Sequence, residues 1–324
     1  RSFNHSSAKK LRLEIKKNSE QIMSLFEKSL SLKKIIKTPS SLNNKHILKR
    51  KIEKSSDTHE FVEATNDLLS FLKNQPQYSR MLREYPTIVD KISKISSKSP
   101  WLSNYIKKHP DILDQLLKTT FISNEVDFRI IKNDLALKLD FSITGDEIDF
   151  EKQIDDLRQF HHEILFRLLC QDHEKKLNIQ DLSDKLTDLA DLVLDATLKC
   201  VWRSFFTENS EPKVAVIAFG KLGAREFGFA SDLDLIFLTH SLDDNQYASL
   251  VKVIKRFISW LTVSTSAGSL FKIDLRLRPN GNSGLLITSL KSFNEYQINR
   301  AWLWEHQAIT KSRFCAGNKE IGME

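Results

Sequence analysis

Cysteine, proline and long apolar runs are all scarce in this sequence, and each shortage removes a class of protein from consideration. Cys170, Cys200 and Cys315 are the full complement of 3. They lie far apart, without the paired spacing of a zinc site or the even count of a disulfide framework, and read as reduced, mainly structural thiols. No apolar run approaches the length needed to cross a bilayer, and the opening Arg1-Ser2-Phe3-Asn4-His5 is not followed by a signal-peptide core. The expectation is a cytoplasmic protein with no membrane partner. What remains, 40% hydrophobic and 28% charged residues over 324 positions, is the composition of a globular chain long enough for about two domains.

The formal charge of +7 suggests nucleic acid until its distribution is read. Residues 1–54 hold 15 Lys and Arg against 4 Glu, an excess of +11, which leaves a net −4 for the rest of the chain. The basic character belongs to a helical lead-in and linker, 1–56, so nucleic acid is not the expected partner of the core. Lysine runs of this kind usually face water. Ser31 to Ser56 is the most linker-like piece.

From Asp57 to Phe206 the apolar period is helical. Leu68, Leu69 and Leu72 follow steps of three and four, as do Ile154, Leu157, Ile164, Leu165, Leu168 and Leu169, and a longer series runs from Leu182 through Trp202 to Phe205. Pro76, Pro86, Pro100 and Pro110 mark helix boundaries, because proline suits a first turn and not an interior. A helical domain over 57–211 is expected, an antiparallel array with 122–150 as a looser connector. His161-His162 falls on one of these helices. Adjacent residues on a helix point in different directions and no third ligand completes a set, so a structural role is expected rather than a metal site.

The chemistry is concentrated in a catalytic domain over 212–324. Val214 to Ile217 reads as a strand that ends in Gly220-Lys221-Leu222-Gly223, a turn where the backbone can approach a phosphate closely. Ser231-Asp232-Leu233-Asp234 opens a second strand, which runs to Leu238. Side chains alternate on a strand, so Asp232 and Asp234 share one face while Leu233, Leu235 and Phe237 enter a core. Phe271 to Pro279 reads as a third strand, whose period of two puts Asp274, Arg276 and Arg278 together. If it lies beside the second, Asp232, Asp234 and Asp274 would hold hard divalent cations, Mg²⁺ above all. That is the arrangement that clamps attacking and leaving oxygens in phosphoryl or nucleotidyl transfer. Cations between the carboxylates would relieve their mutual repulsion. Gly220, Lys221, Gly223, Ser231, Arg276 and Arg278 are the expected contacts to a nucleotide. Tyr247 to Leu261 forms an amphipathic helix across the sheet. Trp302 and Trp304 are expected in the core, and Glu305, Lys311 and Arg313 are the polar residues to follow there, the last two as triphosphate contacts.

Four stretches also resemble a known family. They are Gly220-Lys-Leu-Gly-x-Arg-Glu226, Ser231-Asp-Leu-Asp-Leu-Ile-Phe-Leu238, Asp274-Leu-Arg-Leu-Arg-Pro-x-Gly-x-Ser-Gly-Leu-Leu286 and Ala301-Trp-x-Trp-Glu-His-Gln-Ala308. Together they resemble the bacterial glutamine-synthetase adenylyltransferases of the nucleotidyltransferase superfamily, with weaker likeness at Ser99 to Leu102 and His109 to Asp114. The likeness covers most of the chain beyond about residue 55. Ala218 and Ala224 stand where that family often has glycine.

The fold this implies is α+β: a helical N-terminal region followed by a small mixed sheet of nucleotidyltransferase type flanked by helices. Members of the family usually carry two catalytic halves, one removing AMP from glutamine synthetase and one adding it. Residues 281–286 and 301–308 resemble the C-terminal, AMP-adding half, so the chain is expected to be a fragment of a larger protein. The resemblance further implies ATP as substrate, Mg²⁺ as cofactor, a tyrosine of glutamine synthetase as acceptor, and a PII-type nitrogen signal protein as a partner of the full-length protein. The residues by themselves say only nucleotidyl transfer. Phosphorolytic removal of AMP, transfer to RNA or a small molecule, and a non-catalytic binding module stay open, although a binding module has no need of a carboxylate cluster.

Overall fold

Proline sets the helix boundaries of the N-terminal region, as its missing N–H and fixed φ require. In the computed structural model, which describes residues 56–96, 99–117, 125–144, 147–206, 210–240 and 243–324, each of the four prolines opens an element. After α1 (Ser56–Lys73) come α2 (Pro76–Glu84), α3 (Pro86–Ser96), α4 (Pro100–Lys108) and a 3-10 segment (Pro110–Leu117). Ser99 caps α4 by accepting a hydrogen bond from the Leu102 N–H at 3.3 Å. The basic lead-in, 1–54, lies outside the described residues.

The connector expected at 122–150 is structured where it is described. It holds α5 (Phe128–Asp140) and a small antiparallel hairpin of β1 (Ile143–Thr144) and β2 (Glu147–Ile148). Asp127 caps α5 through the Arg129 N–H, and Ile131, Leu135 and Leu139 form a buried stripe at a spacing of four. Ile130 and Leu137 on the same helix are exposed, so apolar residues fall on both faces, which is why the period is easy to miss.

Two long helices follow, α6 (Phe150–His173) and α7 (Ile179–Arg203), packed on each other. The middle of α6 is buried on nearly every side and carries Arg158, which is 1% exposed. Its guanidinium donates to Thr265 Oγ1 at 2.8 Å and to the carbonyls of Val263 and Trp260 at 2.6 and 3.2 Å. Those partners offset the desolvation of a buried charge and fasten the segment that follows Trp260.

The elements of the C-terminal sheet then run β3 (Ala215–Ala218), the single-turn α8 (Gly220–Gly223), β4 (Leu233–Thr239) and α9 (Asp244–Thr262). They continue with β5 (Ile273–Asp274), a 3-10 turn (Gly281–Ser283), β6 (Ile287–Ser289), α10 (Leu290–Asn299), α11 (Leu303–Ile309), β7 (Arg313–Gly317) and α12 (Lys319–Met323). β3 lies antiparallel between β7 and β4, and the other edge of β4 pairs in parallel first with β5 and then with β6. The fold is therefore α+β, a mixed five-stranded sheet flanked by helices.

Leu233, Leu235 and Phe237 enter the main core, while Ile236 and Leu238 pack on the opposite face with Ala215, Ile217, Phe219 and Ile321. Both faces of the sheet are covered. The third strand is shorter than its alternation suggests: only Ile273 and Asp274 pair, and the chain then turns, with the Arg278 N–H on the Leu275 carbonyl at 3.4 Å. Trp302 and Trp304 are 70% and 54% exposed instead of buried. Glu305 takes the inward place at the start of α11, its carboxylate accepting from the Trp302 N–H at 2.8 Å and the Tyr296 hydroxyl at 3.0 Å. Among the described residues no helix is long and apolar enough to cross a membrane, and the three cysteines are buried free thiols.

Helix α7 joins the helices to the sheet through aspartates at steps of three and four. Asp184 and Asp188 accept from Arg225 at 2.8 and 2.7 Å, Asp191 accepts two bonds from Arg313 at 2.7 and 2.8 Å, and Asp195 accepts from the Gly317 N–H at 3.3 Å. Burial raises the Asp191 pKa even with Arg313 opposing it. Arg313→Ala leaves that carboxylate half-buried without its counter-ion. Urea denaturation at neutral pH is expected to show a loss of about 2 kcal/mol. With Asp191 raised in the folded state, the penalty belongs to the charged form, so the loss should shrink as pH falls through that pKa. Asp191→Ala in the Arg313→Ala background should recover part of it, and a double variant whose loss equals the sum of the two single losses at every pH would show that the pair is not coupled.

Candidate active site

The site is built at the start of β4. Parallel pairing puts Leu233 opposite Ile273 and Asp234 opposite Asp274, so two carboxylates far apart in sequence become direct neighbours. Asp232 sits just before β4 and is exposed, while Asp234 and Asp274 are half-buried. Asp234 is held above the ordinary aspartate range by burial first and then by the charges of Asp274 and Asp232. Asp274 is held below it, because Arg276 turns back onto its carboxylate. The Arg276 backbone N–H donates to Asp274 Oδ1 at 2.9 Å and its Nε to Oδ2 at 2.8 Å.

The glycine turn is fitted to these groups. Gly220 has φ +56° and lies against Asp234: a Cβ there would stand 2.3 Å from Asp234 Oδ2. The Phe219 N–H donates to the Asp234 carbonyl at 2.9 Å, which fastens the turn to β4. Gly223 has a different reason, since a Cβ on it would be 1.8 Å from the Lys311 carbonyl oxygen. Lys221 is exposed beside the turn, and its charge is among those that oppose the rise of the Asp234 pKa. Ser231 faces inward on its own loop, its Oγ accepting from the Gly228 N–H at 3.1 Å.

Several expected nucleotide contacts are occupied by the protein itself. Arg278 donates to the carbonyls of Leu275 at 2.8 Å and Asn282 at 3.0 Å, so it organises the loop after β5. Lys311 pairs with Glu226 at 3.1 Å and Arg313 with Asp191, leaving both in the framework around the turn. Arg225, at φ +59°, is legible in the sequence only as part of a motif; its role is to grip α7. The signal that points to it is the aspartate series on α7, whose spacing marks a charged helix face in need of partners.

The donor set at the site, aspartate oxygens on two adjacent strands, suits a hard cation. The mutual repulsion at Asp234 is a second reason for one, because a cation there would reverse it. The side chains do not converge on a single point, and among the described residues no three are placed to hold one ion as they stand.

A glycine turn hooked to a strand, carboxylates on that strand and on its parallel neighbour, and a mixed sheet backed by helices define a domain of nucleotidyltransferase type. A family model described as glutamate-ammonia ligase adenylyltransferase matches residues 89–324, and the chain belongs to that family. Among its relatives, proteins of Ralstonia nicotianae and Nitrosomonas europaea are 42% and 41% identical over 261 and 256 residues, each alignment covering 79% of this chain. Both bear the name bifunctional glutamine synthetase adenylyltransferase/adenylyl-removing enzyme. The chain spans 27% and 28% of their respective lengths.

The fit between Gly220 and Asp234 is open to test. Gly220→Ala is expected to reduce stability by about 2 kcal/mol, from positive-φ strain together with the clash. Asp234→Gly in the same chain removes the clashing atoms and should recover the steric part, leaving the strain. A single variant as stable as the parent in thermal melts would contradict the fit.

Proposed function

We propose that this chain transfers AMP from ATP to a tyrosine of glutamine synthetase with release of pyrophosphate. The observation that carries the reading is the Asp234–Asp274 register across β4 and β5, beneath a glycine turn fastened to the same strand. The names of its relatives supply the acceptor and the nucleotide chemistry. Because the chain spans about a quarter of their length, the reading takes this piece as the half that adds AMP, on the motifs at 281–286 and 301–308. A cytoplasmic setting, and a PII-type partner for the longer protein, belong to the same proposal.

Asp234 and Asp274, with Asp232 beside them, would hold Mg²⁺, which supplies charge neutralisation and orientation of the triphosphate when bound. The remaining work falls to the chain. Asp274, once Arg276 leaves its carboxylate, would accept the phenol proton as the tyrosine oxygen forms its bond to the α-phosphorus and the bond to pyrophosphate breaks. Lys221 is free to turn toward the leaving pyrophosphate, and Arg276 would do the same on leaving Asp274, where positioned cations lower the barrier most. The loop at 280–284, braced by Arg278 through the Asn282 carbonyl, would close over the nucleotide or the incoming protein.

The test is transfer of label from α-labelled ATP to purified glutamine synthetase by this chain with Mg²⁺. Asp234→Asn and Asp274→Asn should each lose activity by a factor of about 100 or more. Asp234→Asn should at the same time raise the melting temperature. The folded-state pKa of Asp234 is elevated, so its charge costs stability at pH above that value, and removing the charge recovers it at neutral pH. Full transfer by either variant would remove the carboxylate pair from the mechanism.

A further inference from the structure

Behind Ser231 and Asp232 lies a cavity of about 440 Å³ that the reaction as described does not use. Its walls bring Trp101 and Tyr105 of α4, His161 of α6 and Phe229 together, and Lys272 and Asp232 stand at the end next to the carboxylate pair. Trp101 is 42% exposed and stacks on Tyr105 at 5.2 Å between ring centroids, with Phe229 tilted against it at 6.3 Å. That leaves aromatic surface facing the opening.

The deep end is polar but uncharged. His161 is 4% exposed, and its Nδ1 has no hydrogen-bond partner among the described residues. Next to it, His162 Nδ1 is joined to the Tyr105 hydroxyl at 2.7 Å. Burial pushes the His161 pKa down to about 3 and that of His162 to about 2, so both rings are neutral at neutral pH. A buried ring nitrogen without a partner is costly, and a neutral imidazole offers one donor and one acceptor and no charge for a phosphate. The chemistry that meets it is the hydrogen-bonding edge of a flat, neutral heterocycle, which the aromatic walls would also stack.

We propose that this cavity receives the purine base of the nucleotide substrate, with the triphosphate leaving past Asp232 and Lys272 toward Asp234 and Asp274. The inference rests on the nucleotidyl-transfer reading and extends it to base selection. The acceptor's aromatic ring is the other flat group in that reaction. Its hydroxyl must stand at the α-phosphate beside Asp234 and Asp274, which keeps the ring out of a cavity that runs behind Asp232 to His161.

Equilibrium titration of the full chain in Mg²⁺ with ATP, CTP and inorganic tripolyphosphate separates the base from the phosphates. ATP is expected to bind about tenfold more tightly than CTP. Trp101→Ala, at a half-exposed position, should weaken ATP by about tenfold and leave tripolyphosphate unchanged. His161→Gln, accepted only if its melting curve stays cooperative, should reduce the preference for ATP over CTP. Equal binding of ATP and CTP, with ATP affinity untouched in Trp101→Ala, would overturn the proposal. So would an unchanged ATP affinity accompanied by a higher KM for glutamine synthetase in that variant, which would give the cavity to the acceptor. Failure of the parent chain to bind either ATP or tripolyphosphate would instead sink the nucleotidyl-transfer reading, and the base site with it.

Discussion

Two carboxylates held as direct neighbours on adjacent strands repel each other, and much of the surrounding structure either fixes that pair or offsets its charge. Asp234 feels Asp274 and Asp232 in a half-buried setting, and its pKa rises accordingly. Arg276 holds down Asp274. Gly220 lacks a side chain where one would collide with Asp234, and the backbone beside it is bonded to the Asp234 carbonyl. An arrangement of this kind does not stabilise the fold. It persists because a sheet covered on both faces leaves the strands no room to slide.

The helices act as the jig for this sheet. Helix α7 presents aspartates that take Arg225, just after the glycine turn, and Arg313, at the start of β7, so both flanks of the turn are tied to one rigid rod. Helix α6 does the same for the segment before β5 through the buried Arg158. Ion pairs and charged hydrogen bonds in such places contribute little net stability, since desolvation offsets most of the attraction. Their geometry nonetheless fixes where the joined elements sit. The effect reaches the carboxylate pair directly: β5 contributes only two residues to the sheet, and one of them is Asp274. A strand that short depends on its approach being held.

Residues with strong local signals are legible in the sequence alone. The four prolines open elements at the boundaries they mark, and the long apolar series from Leu182 becomes α7. The alternation at Leu233 to Phe237 becomes the buried face of β4. Weak or mixed signals mislead. The stripe of Ile131, Leu135 and Leu139 is blurred by the exposed Ile130 and Leu137, and the alternation from Phe271 to Arg278 outlasts the pairing it predicts because the chain turns after Asp274. Trp302 and Trp304 look like core by size, yet a buried carboxylate that caps α11 takes the inward position beside them.

Sequence alone determined the inventory and its local order: which carboxylates are available, the strand on which Asp232 and Asp234 alternate with leucines, and the glycines of the turn. These follow from periodicity and backbone freedom, which act over a few residues. Only the tertiary structure decided how each polar group is used. It set Asp274 opposite Asp234, turned Arg276 onto a carboxylate, committed Arg278 and Arg313 to the framework, and closed His161 behind an aromatic cavity. A long cationic side chain reaches many partners from one backbone position, and burial decides whether an imidazole is charged. Both depend on neighbours far away in the chain, which no local pattern specifies.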